Sequence, residues 1–320
     1  MVTKQYDIAG ILGALGIVTE KPIIITETSD TYPIKADIWN NWFPFAYLAF
    51  QRLAGKQNVA SFAAIGTGNG ADAIGAMNIF GRDLETIIFT DISNAALEVS
   101  EQNVRKYSAG KKVIALNGFL CRPLIQRGIK VDLIYENLPN IPDGEEISGG
   151  YKQASLYNPS LLPAASDKRV RDYFLESHHS LLKQSKHAMN SGGSVICSIG
   201  GRVPNSLLKE MVEGLGYKYE ESVAGFKRQT EPWEVLPGYA KAEENGVEFD
   251  FYKYGEAVSC LRSLGIKNPF VGLSGDRLKD LLAPFRISAM EALNLYGQNP
   301  DYAIGHTVHM IRAINNKPIT

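Results

Sequence analysis

From Val59 onward, short apolar runs of strand length alternate with longer stretches that have helical spacing. That rhythm predicts repeated βα units around a mainly parallel sheet, a doubly wound α/β fold. The expected strands are Val59–Ile65, Thr86–Thr90, Lys112–Leu116, Val131–Tyr135 and Ser194–Ile199, each rich enough in Val, Ile, Leu or Phe for burial on both faces. Two later segments, Tyr217–Phe226 and Val247–Tyr254, alternate apolar and polar residues and predict an antiparallel pair at one edge.

The flanks differ from this core. Residues 1–57 carry an expected strand, Ile23–Thr26, and an aromatic-dense stretch with Trp39, Trp42, Phe43, Phe45, Tyr47 and Phe50. This segment is expected to act as an N-terminal cap, its rings forming core or the wall of an apolar pocket. Residues 58–254 form the main domain, and 255–320 read as a small C-terminal helical lobe broken by Gly265, Pro269, Gly275 and Pro284. The Asn137–Pro163 stretch, dominated by Asn, Pro, Gly, Ser and Tyr, is expected to be a substrate-covering loop.

Composition excludes several classes. Lys plus Arg number 33 and Asp plus Glu 34, giving a net charge of −1, so the basic excess of a dedicated nucleic-acid binder is missing. The cysteines Cys121, Cys197 and Cys260 lie far apart without C-x-x-C spacing, which fits a reducing cytoplasm better than a disulfide framework or structural zinc. No apolar run is long enough to span a membrane, and no secretory leader is seen. A homodimer is left open.

Chemistry gathers at three strand ends. The first is the turn Ala63-Ala64-Ile65-Gly66-Thr67-Gly68-Asn69-Gly70-Ala71-Asp72, whose glycines permit positive φ and let a ligand approach bare N–H groups at a helix N-terminus, favouring something anionic. Gly66-x-Gly68-x-x-Ala71 also satisfies a dinucleotide fingerprint. The second is Asp91, followed by Ile92, placed at a strand tip to accept bonds from ribose hydroxyls; its alternative role is to cap the helix beginning near Ala95. The third is Glu136-Asn137-Leu138-Pro139-Asn140, a buried strand ending in Asn-x-Pro at the carboxyl edge of the sheet.

These motifs resemble the class I S-adenosylmethionine-dependent methyltransferases, and among them the branch with an Asn-Pro-Pro-Tyr motif that includes release-factor glutamine and adenine N-methyltransferases. The resemblance spans roughly Val59–Tyr254. The Gly216–Tyr254 region, with Gln229-Thr230-Glu231, is also faintly similar to the methyltransferase domain of methionine S-methyltransferases.

The resemblance implies S-adenosyl-L-methionine as cofactor, held by Ile65, Gly66, Gly68, Gly70, Asp91, Ile92, Asn117, Gly118 and Asn137. Asn137, Pro139 and Glu136 are the implied catalytic set, with the Leu138 carbonyl beside Asn137 facing the nucleophile. Three departures from the pattern are Ala64 in place of an acid, Asn117-Gly118 in place of the adenine-side acid, and Asn137-Leu138-Pro139-Asn140 in place of the tetrad.

The expected activity is methyl transfer to a small-molecule acceptor, nitrogen first and sulfur or oxygen as alternatives. An NAD(P)-dependent oxidoreductase and a catalytically silent nucleoside-cofactor-binding protein remain as other readings. His178, His179 and His187 are expected on a helix face, and His306 and His309 as surface or packing residues.

Overall fold

The structure is a computed structural model that describes residues 3–19, 21–35, 40–142, 161, 162, 165, 167–266 and 272–315. Trp39 and most of the expected covering loop, 143–160 and 163, lie outside the described residues. Among the described residues no helix is long and apolar enough to cross a membrane.

Strands β1 (Lys4–Asp7) and β2 (Ile24–Glu27) pair antiparallel, with helix α1 (Ala9–Ala14) between them. Helix α2 (Phe43–Leu53) then buries Phe43, Phe45, Tyr47 and Phe50 completely. The expected βα alternation follows as β3 (Ser61–Ile65), α3 (Ala71–Phe80), β4 (Thr86–Asp91), α4 (Asn94–Tyr107), β5 (Lys112–Asn117), α5 (Arg122–Gln126) and β6 (Val131–Glu136). Helices α6 (Lys168–Asp172) and α7 (Glu176–Ala188) lead into β7 (Met189–Gly200).

These five strands run parallel in the order β5-β4-β3-β6-β7. Side chains alternate across the sheet as the two-residue period requires. Phe62, Ala64, Phe89, Leu133, Tyr135 and Ile196 point to one core, while Ala63, Ile65, Ile88, Ile134, Val195 and Cys197 point to a second on the opposite face. A sheet buried on both faces is what the continuous apolar runs demand.

The aromatic segment covers the first of these faces. Phe50 meets Phe62 and Tyr135 edge-on at centroid distances of 5.5 and 5.3 Å. Tyr47 lies so close to α3 that a Cβ at Gly75 would stand 1.8 Å from its ring, so a glycine is what allows the two helices to approach. The aromatic density is therefore mostly core, as its spacing suggests.

The antiparallel edge exists, with a different partner from the expected one. After α8 (Asn205–Gly214), strand β8 (Lys218–Arg228) is followed by α9 (Pro232–Glu244), the short β9 (Phe251–Lys253), α10 (Tyr254–Ser263), α11 (Gly275–Leu282), β10 (Arg286–Ile287) and α12 (Ala289–Gln298). The chain then returns as β11 (Ile304–Ile314), antiparallel to β7 on one side and to β8 on the other. Among the described residues β9 pairs with β10 and with the first residues of β11. The 255–320 segment thus holds the expected helices but also gives the sheet a fully integrated strand, because the Ile304–Ile314 run is apolar enough to be buried between two neighbours.

Candidate functional site

A cavity of about 260 Å³ opens at the carboxyl ends of β3, β4, β6 and β7, the edge where doubly wound sheets bind ligands. Of the expected residues, Ile65, Gly66, Gly68, Asp91, Ile92, Gly118, Asn137 and Pro139 line it together, with Leu138 beside them. Gly70, Asn117 and Glu136 do not.

The glycine turn behaves differently from its expected role. Gly66, Gly68 and Gly70 all adopt positive φ, at 69°, 55° and 82°. A Cβ at Gly70 would press on Val104 and the Ser100 carbonyl at 3.0 and 3.2 Å, so this glycine serves the packing of α3 on α4 rather than a ligand.

Five of the expected bare amides are used by the loop itself. Gly66 and Thr67 N–H donate to the Thr90 carbonyl at 2.9 and 3.0 Å, and Gly70 N–H donates to Thr67 at 3.0 Å. Gly68 N–H donates to Asp91 Oδ2 at 3.0 Å, and Ala71 N–H to Asn69 Oδ1 at 3.1 Å. These five donors are spent within the turn and are not available to an anionic ligand.

Carboxylates stand there instead. Asp91 accepts from Gly68 and, through Oδ1, from Ser93 N–H at 2.9 Å, which fixes its plane toward the cavity. Burial raises its carboxyl above the ordinary carboxylate range, against the lowering effect of these backbone bonds. Helix capping falls to Ser93, whose hydroxyl accepts from Ala96 N–H at 3.2 Å, so Asp91 is not spent on that task. Asn117 instead spans two carbonyls, donating to Asp91 O and Ile92 O at 3.1 Å each, which places it behind the strand tip rather than on a ligand.

Asp72, which sequence reasoning passed over, lines the same cavity in the first turn of α3. Its Oδ2 accepts from the Trp42 indole at 3.4 Å, and Oδ1 is buried with no hydrogen-bond partner among the described residues. Burial pushes its carboxyl up to about 7.

A raised carboxyl stabilises the fold below the unfolded-chain value near 3.8 and loses that contribution as pH climbs through 7. Between pH 5 and 8 the wild-type chain is therefore expected to lose about 3 kcal/mol that Asp72→Asn does not lose. Chemical denaturation of both proteins at the two pH values checks this; parallel slopes would mean Asp72 ionises freely.

Glu136 is corrected as a catalytic residue. Strand alternation turns it to the opposite face, where it is fully buried and its Oε1 meets His178 Nδ1 of α7 at 2.7 Å. Its Oε2 accepts from Leu138 N–H at 2.8 Å, so it pins the turn that carries Asn137 and is a positioning residue. The turn is held twice more: Ser177 Oγ donates to the Pro139 carbonyl at 2.7 Å, and Asn140 Nδ2 to the Gly200 carbonyl at 3.0 Å. The Asn137 carboxamide makes no hydrogen bond among the described residues and stands at the cavity wall, half-buried.

The far end of the cavity was also missed. It contains Arg202, Lys227, Gln229, Thr230 and His306, with Tyr32, Trp42 and Phe45 from the N-terminal segment forming an aromatic wall. Arg202 donates to Gln229 Oε1 and Asn140 Oδ1, both at 2.7 Å, and lies 5.1 Å from the Tyr239 ring centroid. His306 is a site residue rather than a surface one: its Nδ1–H is taken by the Thr307 carbonyl at 2.7 Å, while the ring lines the cavity. His309 packs as expected, against Glu221 at 2.8 Å.

Five parallel strands, an antiparallel strand wedged beside the last of them, and a ligand crevice at the carboxyl edge define the class I S-adenosylmethionine-dependent methyltransferase fold. No protein-family model matches the chain. The release factor glutamine methyltransferase of Moorella thermoacetica is 39% identical over 82 residues, 26% of this chain and 28% of that protein. Its counterpart from Thermosynechococcus vestitus is 38% identical over 78 residues, 24% of this chain and 26% of that protein. The chain thus matches little more than a quarter of the length of these curated relatives.

Among solved structures, a ribosomal protein L11 methylase from Lactobacillus delbrueckii subsp. bulgaricus has a TM-score of 0.39 at 18% identity, covering 56% of this chain and 70% of that one. A protein from Bacillus halodurans described as a putative methyltransferase has a TM-score of 0.42 at 10% identity, covering 85% of this chain and 99% of that one. The expectation of a small-molecule acceptor, with no nucleic acid favoured, is overturned by the curated matches, both named for a glutamine of a release factor.

Proposed function

We propose that this chain transfers a methyl group from S-adenosylmethionine to a nitrogen carried on a protein. The observation that carries the reading is the convergence of the Asp91 carboxylate and the Asn137 carboxamide on one cavity.

The residues present fit the cofactor. Asp91 is aimed by two backbone bonds and keeps lone pairs free for the paired hydroxyls of a ribose. Thr67 Oγ1 and Asp72 Oδ1 are buried without partners among the described residues, and a buried carboxylate there suits a cationic ligand better than a pyrophosphate. Bound there, S-adenosylmethionine supplies an already activated sulfonium methyl.

The protein's own task is then to orient the acceptor and exclude water. Asn137 Oδ1 accepts an N–H bond from the acceptor amide, directing the nitrogen and stabilising the positive charge that develops on it. Glu136, with His178 against it, and Ser177 hold the turn that carries that carboxamide. The walls formed by Trp42, Phe45 and Ile141 are apolar enough to keep water away from the reacting atoms. The glutamine named in the two curated relatives makes a side-chain amide the first acceptor to try.

Calorimetric titration tests the reading. S-adenosylhomocysteine is expected to bind and NADH not to, and labelled methyl groups are expected to appear on a glutamine-bearing polypeptide. Binding of NADH without S-adenosylhomocysteine would reject it.

A further inference from the structure

The cavity's far end collects basic side chains in a way that the cofactor reading does not need. Lys227, near the end of β8, and His306, near the start of β11, stand directly opposite each other in the antiparallel register. Arg202, after β7, lies beside them, and all three side chains line the cavity while being more than nine-tenths buried.

Their charges are not answered by carboxylates in the interactions they make. Arg202 gives its bonds to the neutral oxygens of Gln229 and Asn140. Lys227 makes no hydrogen bond or ion pair among the described residues, and the charged groups acting on it are Arg202 and Lys35, both cations. Glu231 at the rim is committed to Lys35 at 2.8 Å. Burial together with these cations depresses the Lys227 ammonium to about 7 and drives His306 well below its ordinary value. A basic cluster that is desolvated and self-repelling is unfavourable on its own, and an anion placed among its members offsets the repulsion and favours the charged forms.

We propose that this end of the cavity receives an oxyanion of the methyl acceptor, a carboxylate or a phosphate, held by Lys227 and Arg202 beside the atom that Asn137 orients. The proposal deepens the methyltransferase reading and rests on it for the word acceptor; the anion site itself rests only on the cluster. Specificity then comes from charge: an acceptor lacking the anion leaves the cluster buried and unanswered.

Inorganic phosphate, acetate and neutral acetamide are the probes, each titrated calorimetrically into the full chain with S-adenosylhomocysteine present and again with it absent. One of the two anions is expected to bind and acetamide not to. The preferred anion distinguishes a phosphate-bearing from a carboxylate-bearing acceptor. Lys227→Met is expected to weaken that anion about tenfold or more, while Lys227→Arg, which keeps the charge, stays within about threefold of wild type.

S-adenosylhomocysteine affinity, which the cofactor reading assigns to Asp91 and the glycine turn, reports that both variants are folded. Absence of anion binding in wild type, equal binding by Lys227→Met, or equal binding of acetamide would overturn the proposal. Should anions bind while S-adenosylhomocysteine does not, the anion site stands and the cofactor reading falls.

Discussion

Asn137→Ala is expected to lower turnover by about 100- to 1000-fold while cofactor affinity changes by less than about threefold. The separation follows from how the residue is held. Its carboxamide has no protein partner among the described residues, whereas its backbone is fixed by Glu136 through Leu138 N–H, by Ser177 through the Pro139 carbonyl and by Asn140 through Gly200. Truncating the side chain therefore leaves the turn in place and removes one acceptor aimed at the nucleophile.

Single-turnover rates at saturating S-adenosylmethionine, set beside calorimetric affinity, check this. Equal losses in both would mean that Asn137 only shapes the crevice, and the assignment of a nitrogen acceptor would lose its main structural support. Glu136→Gln is the useful companion, since it keeps the bond to Leu138 N–H but disturbs the contact with His178. An effect on turnover smaller than that of Asn137→Ala is expected of a positioning residue.

The parallel half of the fold was legible because its signal is local. A strand buried on both faces must be apolar along its whole length, and Phe62–Ile65, Ile87–Phe89 and Leu133–Tyr135 each announce that in four residues or fewer. That Asp91 and Asn137 stand on the cavity was legible for the same reason, since each ends such a run at the carboxyl edge of the sheet. What the sequence hid depends on partners distant in the chain. β11 pairs with β7 and β8 across more than 75 residues, and nothing within Ile304–Ile314 says which strand it will meet, so the nearer Val247–Tyr254 run reads as the partner of β8.

The basic cluster was invisible on the same account. Arg202, Lys227 and His306 become neighbours only through that register, and separately each reads as an ordinary surface charge or packing histidine. Asp72 had a weaker local trace: an acid in the first turn of a helix is common for its favourable dipole interaction, and only the surrounding burial by Trp42 and α3 turns it into a site residue. Glu136 shows the opposite failure. Its proximity to Asn137 suggested catalysis, and the alternation of a single strand sends it through the sheet.

Asp91→Ala is expected to weaken S-adenosylhomocysteine binding by about 1–3 kcal/mol, the cost of leaving two buried ribose hydroxyls without their acceptor. The number alone is ambiguous, because the same carboxylate accepts from Gly68 and Ser93 N–H, and their loss loosens the glycine turn and the start of α4. A second ligand separates the two effects. Wild type is expected to bind the 2′-deoxy analogue of S-adenosylhomocysteine distinctly more weakly than the parent, whereas Asp91→Ala, already lacking the partner, binds the two nearly alike. A loosened turn would instead weaken both ligands in parallel and preserve their ratio. Preservation of that ratio would place the ribose elsewhere, and Asp91 would then be read as a brace for the glycine turn, fixed by Gly68 on one oxygen and Ser93 on the other.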